Sequence, residues 1–218
     1  RLKGLTPNFK TLFDLIEKNT DVFIHLGEHS RKFYRGKFSE ARHEIIVHPL
    51  YRNFFNYRSK AEARRQLGIN NDALVIIAPG QIRLHKERDM VLRAFRDISI
   101  DNKVLIATTM RSEIRYDFPG RVRLKKFIDI RNVLVEKFKK KYRPPKYFFN
   151  YERLNYEQFG LRMAAADIVL IPRIEILNSG NVFLGLTYGK ILVGPKTGNI
   201  YDQISQIRET KFYDVIFF

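Results

Sequence analysis

The 218-residue chain contains no cysteine. Disulfides and Cys-based metal sites are therefore excluded, and the lack of thiols fits a cytoplasmic protein without requiring one. The five histidines (His25, His29, His43, His48 and His85) form no HExxH pair, which argues against a zinc hydrolase. No run approaches the roughly 18 consecutive apolar residues that a spanning helix needs. There is no P-loop, no GxGxxG, no serine nucleophile elbow and no obvious pair of acid–base carboxylates. A self-contained kinase or hydrolase is disfavoured on those grounds. Internal repeats and low-complexity segments are also missing.

What is present is apolar and basic. Hydrophobic residues make up 44% of the chain, including 18 Phe and 11 Tyr, enough for a sizeable core. Forty Lys+Arg against 23 Asp+Glu give a net charge of +17. Such a field attracts nucleic acid, acidic headgroups or diphosphates. The basic residues are spread out, with local runs at Arg121–Lys126 and Lys137–Arg143. No RRM, KH or zinc-finger signature accompanies them, so nucleic acid is disfavoured as a partner. A solvated basic face, or one touching a membrane surface, is the better reading. Arg1 is not a start residue, and Tyr213–Phe218 stop inside an apolar run. The chain therefore reads as a piece of a longer protein, truncated at its C-terminal end.

A short apolar run, a turn and an amphipathic helix recur along the sequence. Strands are expected at Asp21–Leu26, Glu44–Val47, Ala73–Ala78, Lys103–Thr108, Tyr147–Asn150, Asp167–Pro172, Ile191–Val193 and Tyr213–Phe217. Helices are expected at Glu28–Tyr34, from Ser59 to Leu67, around Met90–Ile98, and over Asn132–Lys141, Tyr156–Ala166, Asn181–Tyr188 and Tyr201–Arg208. Ser59 and Glu62 have capping-box spacing, and Gly68 is placed to end that helix. ALVIIA is a continuous apolar strand of the kind buried on both faces of a parallel sheet, and Pro79–Gly80 is read as its end. His48–Tyr57 is irregular and reads as a linker. The alternation predicts an α/β fold: a Rossmann-like, doubly wound parallel sheet over 58–218, preceded at 1–57 by the end of a second domain and the linker.

In such sheets ligands bind at the carboxyl ends of the strands. Two strand ends carry suitable residues. Pro79-Gly80-Gln81-Ile82-Arg83-Leu84-His85-Lys86 follows ALVIIA. Gly80 lets the backbone approach a ligand, Arg83 can grip phosphate oxygens and Lys86 adds a point charge. An ordinary strand–helix turn with two solvated cations reads equally well. Arg173 to Asn181 follows DIVLIP. Ser179 can cap the next helix, and Gly180 lets an anion reach the free amides at its N-terminus. Glu175 can accept hydrogen bonds from sugar hydroxyls. A plain helix cap with a solvated glutamate is the simpler alternative.

Taken in order, these segments resemble the donor-binding domain of retaining GT-B glycosyltransferases of the group 1, family 4 type. The resemblance covers roughly Val47 to Asp202. His48-Pro49-Leu50-Tyr51 is similar to the family's interdomain HP-x-Y, and ARRQLGI (Ala63–Ile69) to its R-x-x-LGI helix. Gly80–Lys86 resembles G-x-IR-x-x-K, and AAADIVLIP (Ala164–Pro172) resembles its ADvvvlP strand. SGNVFLGLTYGKILVGP (Ser179–Pro195) resembles its SG-to-GkpvvaP segment.

The resemblance implies retaining transfer of a sugar from a nucleoside diphosphate sugar to a glycan or lipid-linked acceptor, in polysaccharide biosynthesis. It implies that Arg83 and Lys86 hold the diphosphate, that Glu175 meets the donor sugar, and that the amides of Ser179, Gly180 and Asn181 face the phosphates. Gly80, Gln81 and Asn150 would complete the donor site, Asn150 beside the nucleotide base. No cofactor or metal is expected, because cations and a helix dipole replace it. A cytoplasmic location at the inner face of the membrane, with peripheral contact, is the matching expectation. Two departures stand out. Many members have a second glutamate that grips the ribose; counted forward from Glu175 its place is Phe183, and counted back from Gly189–Lys190 it is Leu184. The family's usual arginine falls at Gln81, with Arg83 nearer the lysine. A basic binding module, a GT-B-fold sugar epimerase and an inactive homologue stay open as alternatives.

Overall fold

The structure is a computed structural model that describes residues 7–51, 58–110, 123–124, 128–174, 176–205 and 210–213. In chain order the first elements are α1 (Pro7–Lys18), β1 (Val22–His25), α2 (Glu28–Arg35) and β2 (Arg42–Ile45). Then come α3 (Lys60–Leu67), β3 (Leu74–Gln81), α4 (His85–Asp97), β4 (Lys103–Thr109), β5 (Arg123–Leu124), β6 (Ile128–Asp129) and α5 (Ile130–Lys141). The last are β7 (Tyr147–Phe149), α6 (Tyr156–Ala165), β8 (Ile168–Leu170), α7 (Gly180–Thr187), β9 (Ile191–Pro195), α8 (Gly198–Ile204) and β10 (Thr210–Tyr213).

Among the described residues six strands form one parallel sheet in the order β10-β9-β8-β3-β4-β7. The chain steps outward from β3 to β4 to β7. It then crosses back and lays β8 on the other side of β3, pairing Ile76 with Ile168 and Ile77 with Val169. This reversal is the switch point of a Rossmann-type sheet. Residues of the buried strands alternate between two cores, as the two-residue period of a strand demands. Val75, Ile77, Val104, Ile106, Val169 and Ile171 join Met163, Val182 and Ile200 on one face. Ile76, Ala78, Leu105, Ala107 and Leu170 join Val91 and Phe95 on the other. Both faces are apolar, which is why the strands read as unbroken hydrophobic runs rather than as alternation.

Several local expectations are met. Ser59 accepts a hydrogen bond from the Glu62 amide and opens α3, and Gly68 closes it in the left-handed region. Others are corrected. β3 does not stop at Pro79–Gly80 but runs on to Gln81, with a register shift against β4 between Ala78 and Gln81. β2 lies at Arg42–Ile45, two residues earlier than expected, and α8 begins at Gly198 rather than Tyr201. α1 was not anticipated. β10 covers Thr210–Tyr213, so the strand expected at Tyr213–Phe217 lies almost wholly outside the described residues.

The amino ends of β3 and β8 are pinned by Asp167. Its carboxylate accepts from the Val75 amide at 2.9 Å, from Lys60 at 3.0 Å and from Arg64 at 2.6 Å. Arg64 is 1% exposed and also donates to the carbonyl of Ala165. Burial pushes Asp167 upward, but the Val75 amide, Lys60 and Arg64 together hold it below the usual aspartate range.

Strands β1 and β2 form a separate parallel pair. Their helix α2 docks on α8: the His29 amide donates to Asp202 at 2.7 Å, and Gln203 donates to the Leu26 carbonyl at 3.0 Å. Between β1 and β2, His25 and His43 stack at 5.1 Å and share a 2.8 Å hydrogen bond. His43 Nε2 lies 2.8 Å from the Phe38 carbonyl, so that nitrogen carries the proton and Nδ1 accepts from His25.

Candidate donor site

The carboxyl ends of β3 and β8 and the first turn of α7 converge at the switch point. Gly80 has φ +77°, a conformation that disfavours any side chain. Its amide donates to Thr108 Oγ1 at 2.8 Å, which ties the end of β3 to the end of β4. On the other side Asn181 Nδ2 donates to the Pro79 carbonyl at 2.7 Å. A Cβ on Gly80 would lie 3.4 Å from Asn181 Nδ2 and 3.8 Å from Arg173 Nη2. The two segments singled out in the sequence are thus neighbours across the sheet.

Beside them opens a cavity of about 610 Å³, a size typical of small-molecule sites. Gly80, Gln81, Thr108 and Thr109 form one wall. Arg153, Leu154, Tyr156 and Phe159 form another, with Leu184 and Tyr51 closing it. Leu184, one of the two positions counted for a ribose-gripping glutamate, therefore presents an apolar surface to the cavity. Phe183, the other, is 6% exposed and stacks on His48 at 4.7 Å. The His48–Tyr51 segment packs on α7 and explains that stacking. Tyr51 donates its amide to Thr187 Oγ1 at 2.9 Å, and its hydroxyl meets His48 Nε2 at 3.2 Å. A Cβ on Gly180 would come within 2.9 Å of the Tyr51 hydroxyl, so a larger residue there would displace the Tyr51 ring from the start of α7. Burial raises the Tyr51 hydroxyl above the ordinary tyrosine range, leaving it a neutral hydrogen-bonding group.

The remaining sequence candidates separate into groups. Gly180 is exposed at the first position of α7. Ser179 is the N-cap residue by position, but its side chain makes no capping hydrogen bond and is 7% exposed; this corrects the expected cap. Arg83 and Lys86 are exposed on the turn and first helical turn after β3, and neither lines the cavity. The Asn150 backbone extends the sheet, donating to Ala107 at 3.0 Å and accepting from the Met110 amide at 2.6 Å. Its neighbour Tyr151 is pushed up to about 12 by burial and by Glu136. Glu175 lies outside the described residues.

Two residues were missed. Arg173 (6% exposed) and Glu87 (3% exposed) form an ion pair at 3.1 Å beneath the cleft. The same Glu87 oxygen accepts from the Arg83 amide at 2.8 Å and the Leu84 amide at 3.2 Å. Glu87 thereby folds the turn carrying Arg83 and fixes Arg173 beside Gly80. The signal was a cation directly after the buried strand DIVLIP, but its partner is remote in sequence. Among the described residues no group of three or more His, Asp or Glu gathers in metal-binding geometry. Nor is any helix among them long and apolar enough to cross a membrane.

No protein-family model matches the chain, and no curated protein matches it. Solved structures do. Sucrose-phosphate synthase from Thermosynechococcus elongatus aligns at 13% identity and TM-score 0.65, over 97% of this chain and 51% of that one. Anabaena HepE, in complex with UDP and glucose, aligns at 14% identity and TM-score 0.65, over 95% and 53%. A glycosyltransferase from Rickettsia africae aligns at 12% identity and TM-score 0.62, over 98% and 54%. The chain spans about half the length of these structures. It has the doubly wound α/β fold of the GT-B glycosyltransferases.

Proposed function

We propose that this cleft binds a nucleoside diphosphate sugar and that the chain is the donor half of a retaining glycosyltransferase. In this reading 58–218 is the nucleotide-sugar domain, and 1–57 is the end of the acceptor-side domain with its linker. The observation that carries it is the meeting of Gly80 with the exposed start of α7 beside a cavity at the switch point. The likeness to a structure holding UDP and glucose supports UDP as the first nucleotide to test.

In the reaction, the bond from the sugar C1 to the diphosphate oxygen breaks. A bond from C1 to an acceptor hydroxyl forms on the same face. The nucleoside diphosphate leaves with the electron pair of the broken bond, and its departing oxygen takes up the proton of the acceptor hydroxyl. Charge grows on the diphosphate, so the chemistry needs donors already aimed at it. Arg83, Lys86 and the first amides of α7 are assigned that role, with no metal required. Glu175 is assigned to the sugar hydroxyls, and Gln81 and Asn150 to the donor nucleotide. A glycan or lipid-linked acceptor in polysaccharide biosynthesis, at the inner face of a membrane, suits the surplus of 17 positive charges.

Calorimetry with UDP and GDP tests the reading. Binding is expected, and Arg83→Ala or Lys86→Ala should each weaken it by about 1.5 kcal/mol, or about tenfold. No binding of either nucleotide by the folded protein overturns it. Affinity for nucleic acid that falls steeply with salt and ignores Arg83 would favour a basic binding module instead.

A further inference from the structure

Asn199 is fully buried at the second position of α8 and takes no part in the cavity wall. Its hydrogen bonds reach two segments that are far apart in sequence. The side-chain Oδ1 accepts from the Ser30 amide at 2.9 Å, and Nδ2 lies 2.8 Å from Ser30 Oγ. The same Nδ2 donates to Asn178 Oδ1 at 2.5 Å, and the Asn199 amide donates to the Leu177 carbonyl at 3.0 Å. Ser30 lies in the first turn of α2, which packs with β1 and β2; Asn178 immediately precedes Ser179–Gly180 at the cleft.

The packing around this amide leaves no slack. A Cβ on Gly27 would fall 2.8 Å from the Asn199 side chain. A Cβ on Gly198 would fall 3.0 Å from the carbonyls of Ile176 and Leu177, and Gly198 sits at φ +58°. The loop before α7 therefore meets the start of α8 backbone to backbone, and the turn into α2 closes on the Asn199 side chain. One primary amide, with an acceptor on one side and two donor hydrogens on the other, satisfies both neighbours. A side chain without that pairing leaves buried groups unmet on two segments at once.

We infer that Asn199 is a positioning residue that clamps the α2 turn to the loop entering α7, so that the placement of Ser179–Gly180 opposite Gly80 depends on the β1–β2 unit. As a statement about the donor cleft it rests on the function proposed above. It deepens that reading by making the seating of one unit a condition for the donor loop's geometry in the other.

The test is hydrogen exchange read by mass spectrometry on the full chain without ligand. In Asn199→Ala, amides of 176–182 and of 28–31 should both exchange about tenfold faster than in the parent. The milder Asn178→Ala should speed 176–182 alone, and Asn178→Asp, which keeps the accepting oxygen, should restore parental rates there. Faster exchange confined to α8 in Asn199→Ala overturns the inference. So does parental exchange at 176–182 in Asn178→Ala, which also decides the matter if Asn199→Ala does not fold. Because no nucleotide is present, failure of UDP to bind would sink the proposed function without touching this result. In a chain that does bind UDP, Asn178→Ala should weaken binding and Ser30→Ala should do so as well, although Ser30 is no part of the cavity.

Discussion

Asn181 Nδ2 donates a 2.7 Å hydrogen bond to the carbonyl of Pro79, joining the first turn of α7 to the end of β3. This bond spans the gap on which the proposed diphosphate would sit. Asn181→Ala removes the donor and leaves a carbonyl of a buried residue unmet, at a cost of about 1–2 kcal/mol. Chemical denaturation should register that loss, and calorimetry should register weaker UDP binding. Asn181→Asp should be worse on both counts, since a carboxylate would face both the carbonyl and the bound anion.

Glu87 deserves the largest mutational effect near the cleft. Glu87→Ala would take the carboxylate from a buried guanidinium and release two turn amides, costing about 3 kcal/mol. For a chain of this size that is a fall in Tm of about 10 °C. Glu87→Gln still accepts from the Arg83 amide and should lose less. The pair is separable by a double-mutant cycle with Arg173→Met, in which the combined loss should be smaller than the sum.

Asp167 supplies an acid-sensitive term. Its folded-state affinity for protons is depressed by the Val75 amide, Lys60 and Arg64. Its contribution is therefore complete above the ordinary aspartate range near pH 4 and is lost as pH falls through the lower folded value. Urea melts between about pH 5 and pH 3 should show stability dropping, and Asp167→Asn should remove that part of the slope. At neutral pH the same substitution should cost about 2–3 kcal/mol, because Arg64 is left buried without its carboxylate.

His25 acts in a different window. Burial first, then the neighbouring His43 and Arg31, lower its folded value below the ordinary histidine range. The unfolded chain thus binds the proton more readily, and stability is lost as pH falls below about 6.5. Melts at pH 7.5 and pH 5.5 should differ, with the lower pH less stable. His25→Phe should flatten that difference if the stacked column of Phe23, His43 and Tyr34 accepts the ring.

The parts of this fold that were legible in the sequence share a cause. Continuous apolar runs such as Val75–Ala78 and Val169–Ile171 are buried on both faces, so composition alone marks them as strands. The Gly80 and Ser179–Gly180 segments are legible as neighbours because both follow buried strands of one parallel sheet. What escaped depends on pairings that no local pattern encodes. Nothing in the local sequence marks Glu87 as the buried partner of Arg173. Nothing in the local sequence marks Asn199 as the link between Ser30 and Asn178. The Ser179 side chain was expected to cap α7 because the residue type is right, but its hydroxyl makes no such bond. Propensity describes what a residue can do locally, and tertiary packing decided otherwise.

The pairing of β3 with β8 has a consequence for how the protein is made. The strands that flank the cleft are separated by most of a domain's length of chain, Ile76 lying against Ile168. During synthesis the first wall is available long before the second has been translated, and until then β3 has one open edge. Closing so distant a contact is slow, and an uncovered hydrophobic strand edge is prone to sticking. Nascent chains ending between β4 and β8 should be aggregation-prone and chaperone-dependent until residues past β8 have appeared.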